Sequence, residues 1–354
     1  MNELEFKILL AIKKYGVKKC FSYLGDISED IISNQISVFY DKNWIKEDVI
    51  TDMGLKQLEP FKVDNAVIMA AGLSSRFVPL SLEKPKGLLN VKGEILIERQ
   101  IEQLQSSGIE NIIIVLGYKH EEFMYLKDKY TGIKLVYNPK YNEFNNTYTL
   151  FMAKDYLKNS YVCSSDNYFS KNPFEEYVYE SFYSAIKVTE ETNEWYMEPN
   201  NQGYISSISK SGTEGFIMLG HAYWNKDFSK SILKLLEEDF SQEGQYKKVL
   251  WEDVLKDNLN KLPLMKIHEY PSDVIFEFDS LDELRKFDSS YISDSHSNTL
   301  KEIADYYGVK EENITNIKPI EANEDRYSFS FEINHEKHVY SHENKEDNII
   351  KKRI

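Results

Sequence analysis

Arg76 and Lys86 stand ten residues apart in the stretch AVIMAAGLSSRFVPLSLEKPKGLLNV, Ala66 to Val91. The run before them is apolar and turns at Gly72 through Ser74 and Ser75. Small residues let backbone N–H groups approach phosphate oxygens. A guanidinium adds forked contacts and an ammonium adds a point charge. The combination reads as a phosphate cradle, although it is neither the fingerprint G-x-G-x-x-G nor the P-loop G-x-x-x-x-G-K-[ST]. Carboxylates follow further along. Asp166 ends the apolar run YVCSSD, and Glu277 and Asp279 alternate in VIFEFDS, the spacing that puts both on one face of a strand. Strand ends are where α/β sheets place ligands, and a hard divalent cation takes carboxylate oxygens. The plainer readings are a strand-end turn for Asp166 and a helix cap for Asp279, beside an equally suited Ser280.

A third group couples rings to acids: Trp195 in TNEWYMEPN, Trp251 and Glu252 in VLWEDVL, and Glu277 in FEFD. Aromatic faces backed by carboxylates are how quaternary ammonium groups are bound. A Trp-Glu-Asp run on a helix reads equally as core plus solvated face. The net charge of −15 argues against nucleic acid or anionic membrane as partners. Any phosphate ligand must therefore be held by local cations or a metal. No apolar run is long enough for a membrane-spanning helix, and MNELEFKILL has acids where a signal peptide has bases. Cys20 and Cys163 give neither a disulfide framework nor metal-ligand spacing. A cytoplasmic protein is expected.

Three segments must position these groups. Residues 1–60 read as short helices followed by a ribbon, the outline of a winged-helix-like module. EFKILLAIKKYG places Phe6, Leu9, Leu10 and Ile12 on one face before Gly16, and Ser28 is placed to cap a later helix. Residues 61–290 alternate strands and helices, which predicts an α/β domain with a mixed, mostly parallel sheet flanked by helices. NAVIMAA and NIIIVLG are its buried strands, with the helix ILIERQIEQLQSSG between them closed by Gly108. SAIKV, GYISSIS and EGFIMLGHAYW are expected as a second layer covering that sheet. Residues 291–354 form a small α+β extension, a helix and then a hairpin with NHEK at its turn, ending in a charged, frayed dozen.

The residues MAAGLSSRF, EKPKGLLNVKG and LIERQIEQL resemble the signature loop of nucleotidyltransferases that activate sugar phosphates and choline phosphate. RFVPLSLEKPKGLL, IIIVLGYKHEEFMYLKDKY, VYNPKYNEFNNTYTL and FEFDS are similar to bacterial CTP:phosphocholine cytidylyltransferases, from about Val63 to Phe287. The resemblance implies a Rossmann-like nucleotidyltransferase sheet and transfer of CMP from CTP to phosphocholine. It implies nucleotide contacts from Ala70, Ala71, Gly72, Ser74 and Ser75, with Gly117, Tyr118, Asn145 and Asn146 as candidates near the base. Arg76 and Lys86 would be catalytic, and Asp166 and Asp279 would hold Mg²⁺. Trp195, Trp251, Glu252 and Glu277 would line the acceptor site. Ser74-Ser75 departs from the glycine and threonine that many sugar-phosphate enzymes carry. Alternatives are phosphoethanolamine, 2-aminoethylphosphonate or a sugar 1-phosphate as acceptor. A different class of function is a winged-helix DNA-binding regulator with a nucleotide-sensing domain. Against it, acids outnumber lysines in the first segment, which has no arginine; packing or homo-oligomer contact is the expected role. The last segment resembles the first strands of a choline-kinase-type N-lobe, with Ser341 where such a lobe has a basic residue, and kinase activity is not expected.

Overall fold

The computed structural model describes residues 1–242, 244–322, 326–343 and 349–351. Continuous apolar runs become the inner strands of a nine-stranded sheet. Asn65–Ala70 (β1) and Ile112–Leu116 (β2) are buried along their whole length, as strands covered on both faces must be. Ile133–Tyr137 (β3) and Ser160–Ser164 (β4) complete a parallel set in the order β4-β1-β2-β3. The helix Leu96–Ser106 crosses between β1 and β2, and Gly108 after it takes φ +81°.

The expected second layer is a correction. Phe182–Val188 (β5), Tyr196–Pro199 (β6), Ile205–Ser209 (β7) and Gly215–Trp224 (β8) extend the same sheet. Strand β8 runs antiparallel to β4, β5 and β6, and β6 pairs with β7. Lys266–Glu269 (β9) then lies parallel to β5. A buried strand beside β4 satisfies its backbone by continuing the ladder, and composition does not distinguish that from stacking.

The first helix, Glu3–Tyr15, starts in a capping box of Asn2 and Glu5, buries Phe6, Leu9, Leu10 and Ile12, and ends at Gly16 with φ +80°. Two further helices lead to the ribbon Ile45–Lys46 with Val49–Ile50 and a last helix, Asp52–Leu58. Ser28 occupies the N-cap position of Glu29–Asp41, but its side chain makes no capping bond. This core takes in Tyr177, and Lys13 donates to Glu176 at 2.9 Å, so the first segment is tied to the sheet.

After residue 290, the helix Asn298–Tyr307 precedes a four-stranded antiparallel sheet. Its hairpin turns at Asn334 and His335, both with positive φ. Leu300, Ile303, Phe329 and Tyr340 share one apolar core with Phe77, Val78, Leu80 and Leu89 of the cradle. Glu83 accepts hydrogen bonds from the Ser297 hydroxyl (2.7 Å) and from the Asn298 and Thr299 amides (2.8 and 2.9 Å), placing an anion at that helix's positive end. The division at 290 therefore crosses a single core. Most of the final dozen residues lie outside the described ones. Both cysteines are buried free thiols, and among the described residues no helix is long and apolar enough to cross a membrane.

Candidate active site

Strand β1 delivers Ala70, Ala71 and Gly72 to the mouth of the sheet. Ser74 then takes a left-handed backbone, φ 52° and ψ 47°. That conformation suits glycine better than serine, the physical content of the Ser74 departure noted above. The turn Ser75–Phe77 buries Phe77 and leaves the Arg76 side chain 69 % exposed. Pro85 starts the turn Lys86–Leu88, which buries Lys86 to 5 % exposure. Gly87 explains how Lys86 gets so deep. A Cβ at Gly87 would sit 2.9 Å from both Cβ and Oγ of Ser165 and 3.1 Å from its carbonyl oxygen. Gly87→Ala should push Lys86 away from the end of β4 and lower kcat by about a hundredfold, the usual cost of a misplacement near 1 Å. Pyrophosphate release measures it; an unchanged rate would mean that the loop yields freely.

Lys86 gathers the carboxylates. Its Nζ lies 2.8 Å from Asp166 Oδ2 and 3.8 Å from Asp279 Oδ1, while Arg76 Nη1 is 2.6 Å from Asp279 Oδ2. Burial works against the Lys86 charge, but Asp166, then Glu277 and Asp279, outweigh it and hold the ammonium above its ordinary pKa. Glu277 is open to solvent at its own side chain yet ringed by protein mass. That enclosure, then the charge of Asp166, pushes its carboxyl up to about 7. Ser280, not Asp279, caps the helix Leu281–Phe287, its Oγ accepting from the Glu283 amide at 3.3 Å. Asp279 is thereby left to the cations. Asp166 and Asp279 balance Lys86 and Arg76, and Glu277 turns the cluster negative as it ionises near pH 7; the oxygens of Asp166 and Asp279 are of the kind a hard divalent cation takes. Two carboxylates are also the number Mg²⁺ usually takes when phosphates and water supply the rest.

A cleft of about 190 Å³ brings together Ala70, Ala71, Gly72, Ser74, Lys86, Asn145, Asn146 and Asp166. Gly117 and Tyr118 brace the cradle from behind instead of lining it. The Tyr118 amide donates to Ala71 O at 3.1 Å and its hydroxyl to Leu82 O at 3.0 Å. A Cβ at Gly117 would come within 2.7 Å of Ala71 O. Asn145 caps the helix Asn146–Met152, accepting from the Asn146 amide at 2.8 Å, and Asn146 Oδ1 accepts from the Trp251 amide at 2.9 Å. Sequence reasoning missed Gly87, Tyr141, Phe144, Thr149 and Ser165, which also line the cleft. The aromatic and asparagine spacing of YNPKYNEFNNTY was the available signal, but it does not say that the loop folds back over the cradle.

The acceptor candidates separate. Trp251 is 2 % exposed, stacked on Tyr183 (5.1 Å, 20°) and packed on Trp224 (5.2 Å), so it offers no face to a ligand. Its role as a lining residue is corrected: it holds Tyr183, whose hydroxyl donates to Glu252 Oε1 at 3.0 Å. Glu252 is itself buried; its Oε2 has no well-aligned hydrogen-bond partner, although the Asn146 side chain lies near enough to favour the ionised form. Burial pushes the Glu252 carboxyl up to about 7 against the lowering pull of its own amide, Tyr183 and Asn146. The charges of Glu252 and Glu277 both reach Tyr183, which links helix Trp251–Asn258 to the Lys86 cluster. Trp195 is half-buried, with Lys210 Nζ 4.7 Å over its ring, and Lys210 is paired to Asp253 at 3.3 Å.

Residues 66–150 match the MobA-like NTP transferase domain. A choline-phosphate cytidylyltransferase of Streptococcus pneumoniae is 36 % identical over 223 residues, 63 % of this chain and 96 % of that protein. A 2-aminoethylphosphonate cytidylyltransferase of Lancefieldella rimae is 33 % identical over 231 residues, 64 % of this chain and 93 % of that protein. The solved structure of the Streptococcus pneumoniae CTP:phosphocholine cytidylyltransferase superposes with a TM-score of 0.61 at 35 % identity, covering 65 % of this chain and 99 % of that one. With a cation-bearing cradle at the end of a parallel sheet, carboxylates converging on it, and matches spanning nearly the whole of these proteins, the chain belongs to the nucleotidyltransferase family and is an enzyme of its cytidylyltransferase-like branch.

Proposed function

We propose that this nucleotidyltransferase moves CMP from CTP to phosphocholine, giving CDP-choline and pyrophosphate. The observation that carries the choice of acceptor is the likeness to the choline-phosphate enzyme, 36 % identical over 96 % of its length; Glu252, a buried carboxylate beside a tyrosine, would need a cation to balance its charge. A trimethylammonium meets that need, since it offers charge and an apolar surface together. Glu277 would supply the second carboxylate of that site, and Trp195 would offer a ring face once Lys210 withdraws.

CTP would lay its triphosphate along Ala70–Ser75, with the base toward Asn145 and Asn146. Arg76, exposed on its turn, exchanges Asp279 for phosphate oxygens. Lys86 is held at the junction of nucleotide and acceptor phosphates. One acceptor oxygen forms a bond to the α-phosphorus as the bond to the bridging oxygen breaks, and that electron pair leaves with pyrophosphate. A phosphate monoester is largely dianionic at neutral pH, so no general base is needed. Catalysis is then positioning and charge stabilisation. Mg²⁺ on Asp166 and Asp279 would, when bound, offset the charge of the triphosphate and of the departing pyrophosphate. Residues 1–60 and 291–354 are read as accessory modules on the domain 61–290. The first keeps a winged-helix outline used for packing, and the last keeps an outline of kinase N-lobe strands without that activity.

Pyrophosphate release across four nucleotides and a set of acceptors tests this. CTP with phosphocholine should be at least about tenfold faster in kcat/KM than other pairs, and chelation should abolish turnover until Mg²⁺ is restored. The 33 % identity to the aminoethylphosphonate enzyme supports a second reading, and a preference for that phosphonate would replace the first. Turnover only with a sugar 1-phosphate would overturn both.

A further inference from the structure

A cavity roomier than the catalytic cleft lies elsewhere in the fold. A space of about 460 Å³ opens between the first helix and the sheet, within the range of roughly 300–1,000 Å³ typical of small-molecule sites. It shares no lining residue with the cleft. Tyr161, on its wall, is near the start of β4, whereas Asp166 follows the strand's other end.

Its walls are rings. Phe6 and Tyr179 stand 5.4 Å apart on the side of the first helix. On the sheet side Phe182 lies 4.6 Å from His268, which is stacked on Tyr270 at 4.7 Å and 16°. The charges on the rim are mostly spent on one another. Lys7 pairs with Glu3 at 2.6 Å, and Lys266 with Glu180 at 3.7 Å. Glu175 is the exception. Its amide donates to the Tyr161 hydroxyl at 3.1 Å, fixing the residue on the wall, while its carboxylate makes no hydrogen bond or ion pair among the described residues. The negative charge of that carboxylate reaches Tyr161, His268 and Tyr270. The cavity therefore combines electron-rich ring faces with one uncompensated anion.

An anionic ligand would face Glu175 and the negative faces of the rings, and a neutral apolar one would leave the carboxylate unanswered. A primary ammonium would need acceptors for its three N–H groups and would be drawn to the carboxylates and tyrosine hydroxyls of the rim, whereas a quaternary one presents methyl groups to the ring faces and needs only a counter-charge. We propose that this cavity is a second, non-catalytic binding site for a small quaternary alkylammonium cation, seated between the rings with Glu175 as its counter-ion. Such a ligand touches Phe6 and Tyr179 on one side and His268 and Tyr270 on the other, so binding fastens the first helix to the sheet. The site stands whatever the acceptor of the catalytic cleft proves to be.

Calorimetric titration of the full chain with choline, and with its neutral isostere 3,3-dimethylbutan-1-ol, tests the proposal. Choline should bind at a site that survives Glu252→Gln, and should raise the melting temperature in that variant. Glu175→Gln should weaken that binding about fivefold, as loss of an exposed counter-ion does, without changing turnover at saturating substrates. The isostere should bind at least about tenfold more weakly than choline. Isostere and choline binding equally, Glu175→Gln leaving choline affinity unchanged, or Glu252→Gln abolishing all choline binding would each overturn it. A melting temperature of Glu175→Gln equal to wild type, expected for an exposed side chain, excludes misfolding as the cause of any loss.

Discussion

Lys86→Met should lower CTP-dependent pyrophosphate release by about a thousandfold, the scale at which one preorganised charge-stabilising group is felt. The side chain is 5 % exposed and directed at Asp166 and Asp279, so solvent cannot substitute for it. Methionine keeps the length of the stem but leaves the carboxylates facing one another. Removing one partner of a buried pair costs about 3 kcal/mol, so the melting temperature should fall as well. Lys86→Arg should not rescue the rate. The ammonium is a compact charge 5.7 Å from the Phe77 ring centroid, and a planar fork needs room that this turn does not provide. Single-turnover kinetics with prebound CTP separate the two effects. A loss confined to CTP affinity, with the chemical step intact, would remove Lys86 from the reaction itself.

Glu252→Gln has the other large effect, and it runs in two directions. In the folded chain burial lifts the carboxyl from 4.5 to about 7. Below about pH 4.5 the group is protonated whether the chain is folded or not, so the variant and wild type should then be equally stable. As pH rises from there to about 7 the unfolded chain ionises and the folded one does not, so wild-type stability falls. Above that the penalty is complete, on the order of 3 kcal/mol, and the variant should melt higher. The same substitution removes the counter-charge proposed for the acceptor. KM for phosphocholine should rise about thirtyfold with a smaller change in kcat, as expected for a desolvated cation contact worth about 2 kcal/mol. Equal melting curves at pH 8 would mean that the carboxylate is ionised at no cost. An unchanged KM would take Glu252 out of the acceptor site.

How far the sequence carried depended on the range of each interaction. The cradle was legible because it is contiguous: an apolar strand, small residues, Arg76, then Pro85-Lys86 lie within one loop. Glu277 and Asp279 were legible as a pair by their alternation, but their meeting with Asp166 at Lys86 depends on more than a hundred intervening residues. The burial of Trp251 is not legible in the sequence, because a tryptophan beside two acids has the same letters whether it lines a pocket or fills a core. Only the packing of Tyr183 and Trp224 around it decides. Composition does not separate the strands from 182 to 224 from a covering layer, because buried antiparallel strands and stacked sheets draw on the same residues. The hydrogen-bonded partner, not the pattern, makes the difference. Gly87 gave no signal at all, since its importance lies in Ser165, a residue remote in sequence.

The core shared by Phe77, Leu80 and Leu89 with Leu300, Phe329 and Tyr340 has a consequence for how this enzyme can be divided. The turn that carries Arg76 and the one that carries Lys86 are finished on their outer side by chain that follows Glu277 and Asp279. A fragment stopped near residue 290 would hold every residue proposed to touch substrate. It would also expose the apolar backing of the cradle and leave Glu83 without the helix end that it holds. In recombination terms, the smallest exchangeable unit is the catalytic sheet together with its C-terminal sheet. A chimera built at that boundary would transplant the reacting groups without the surface that sets their positions.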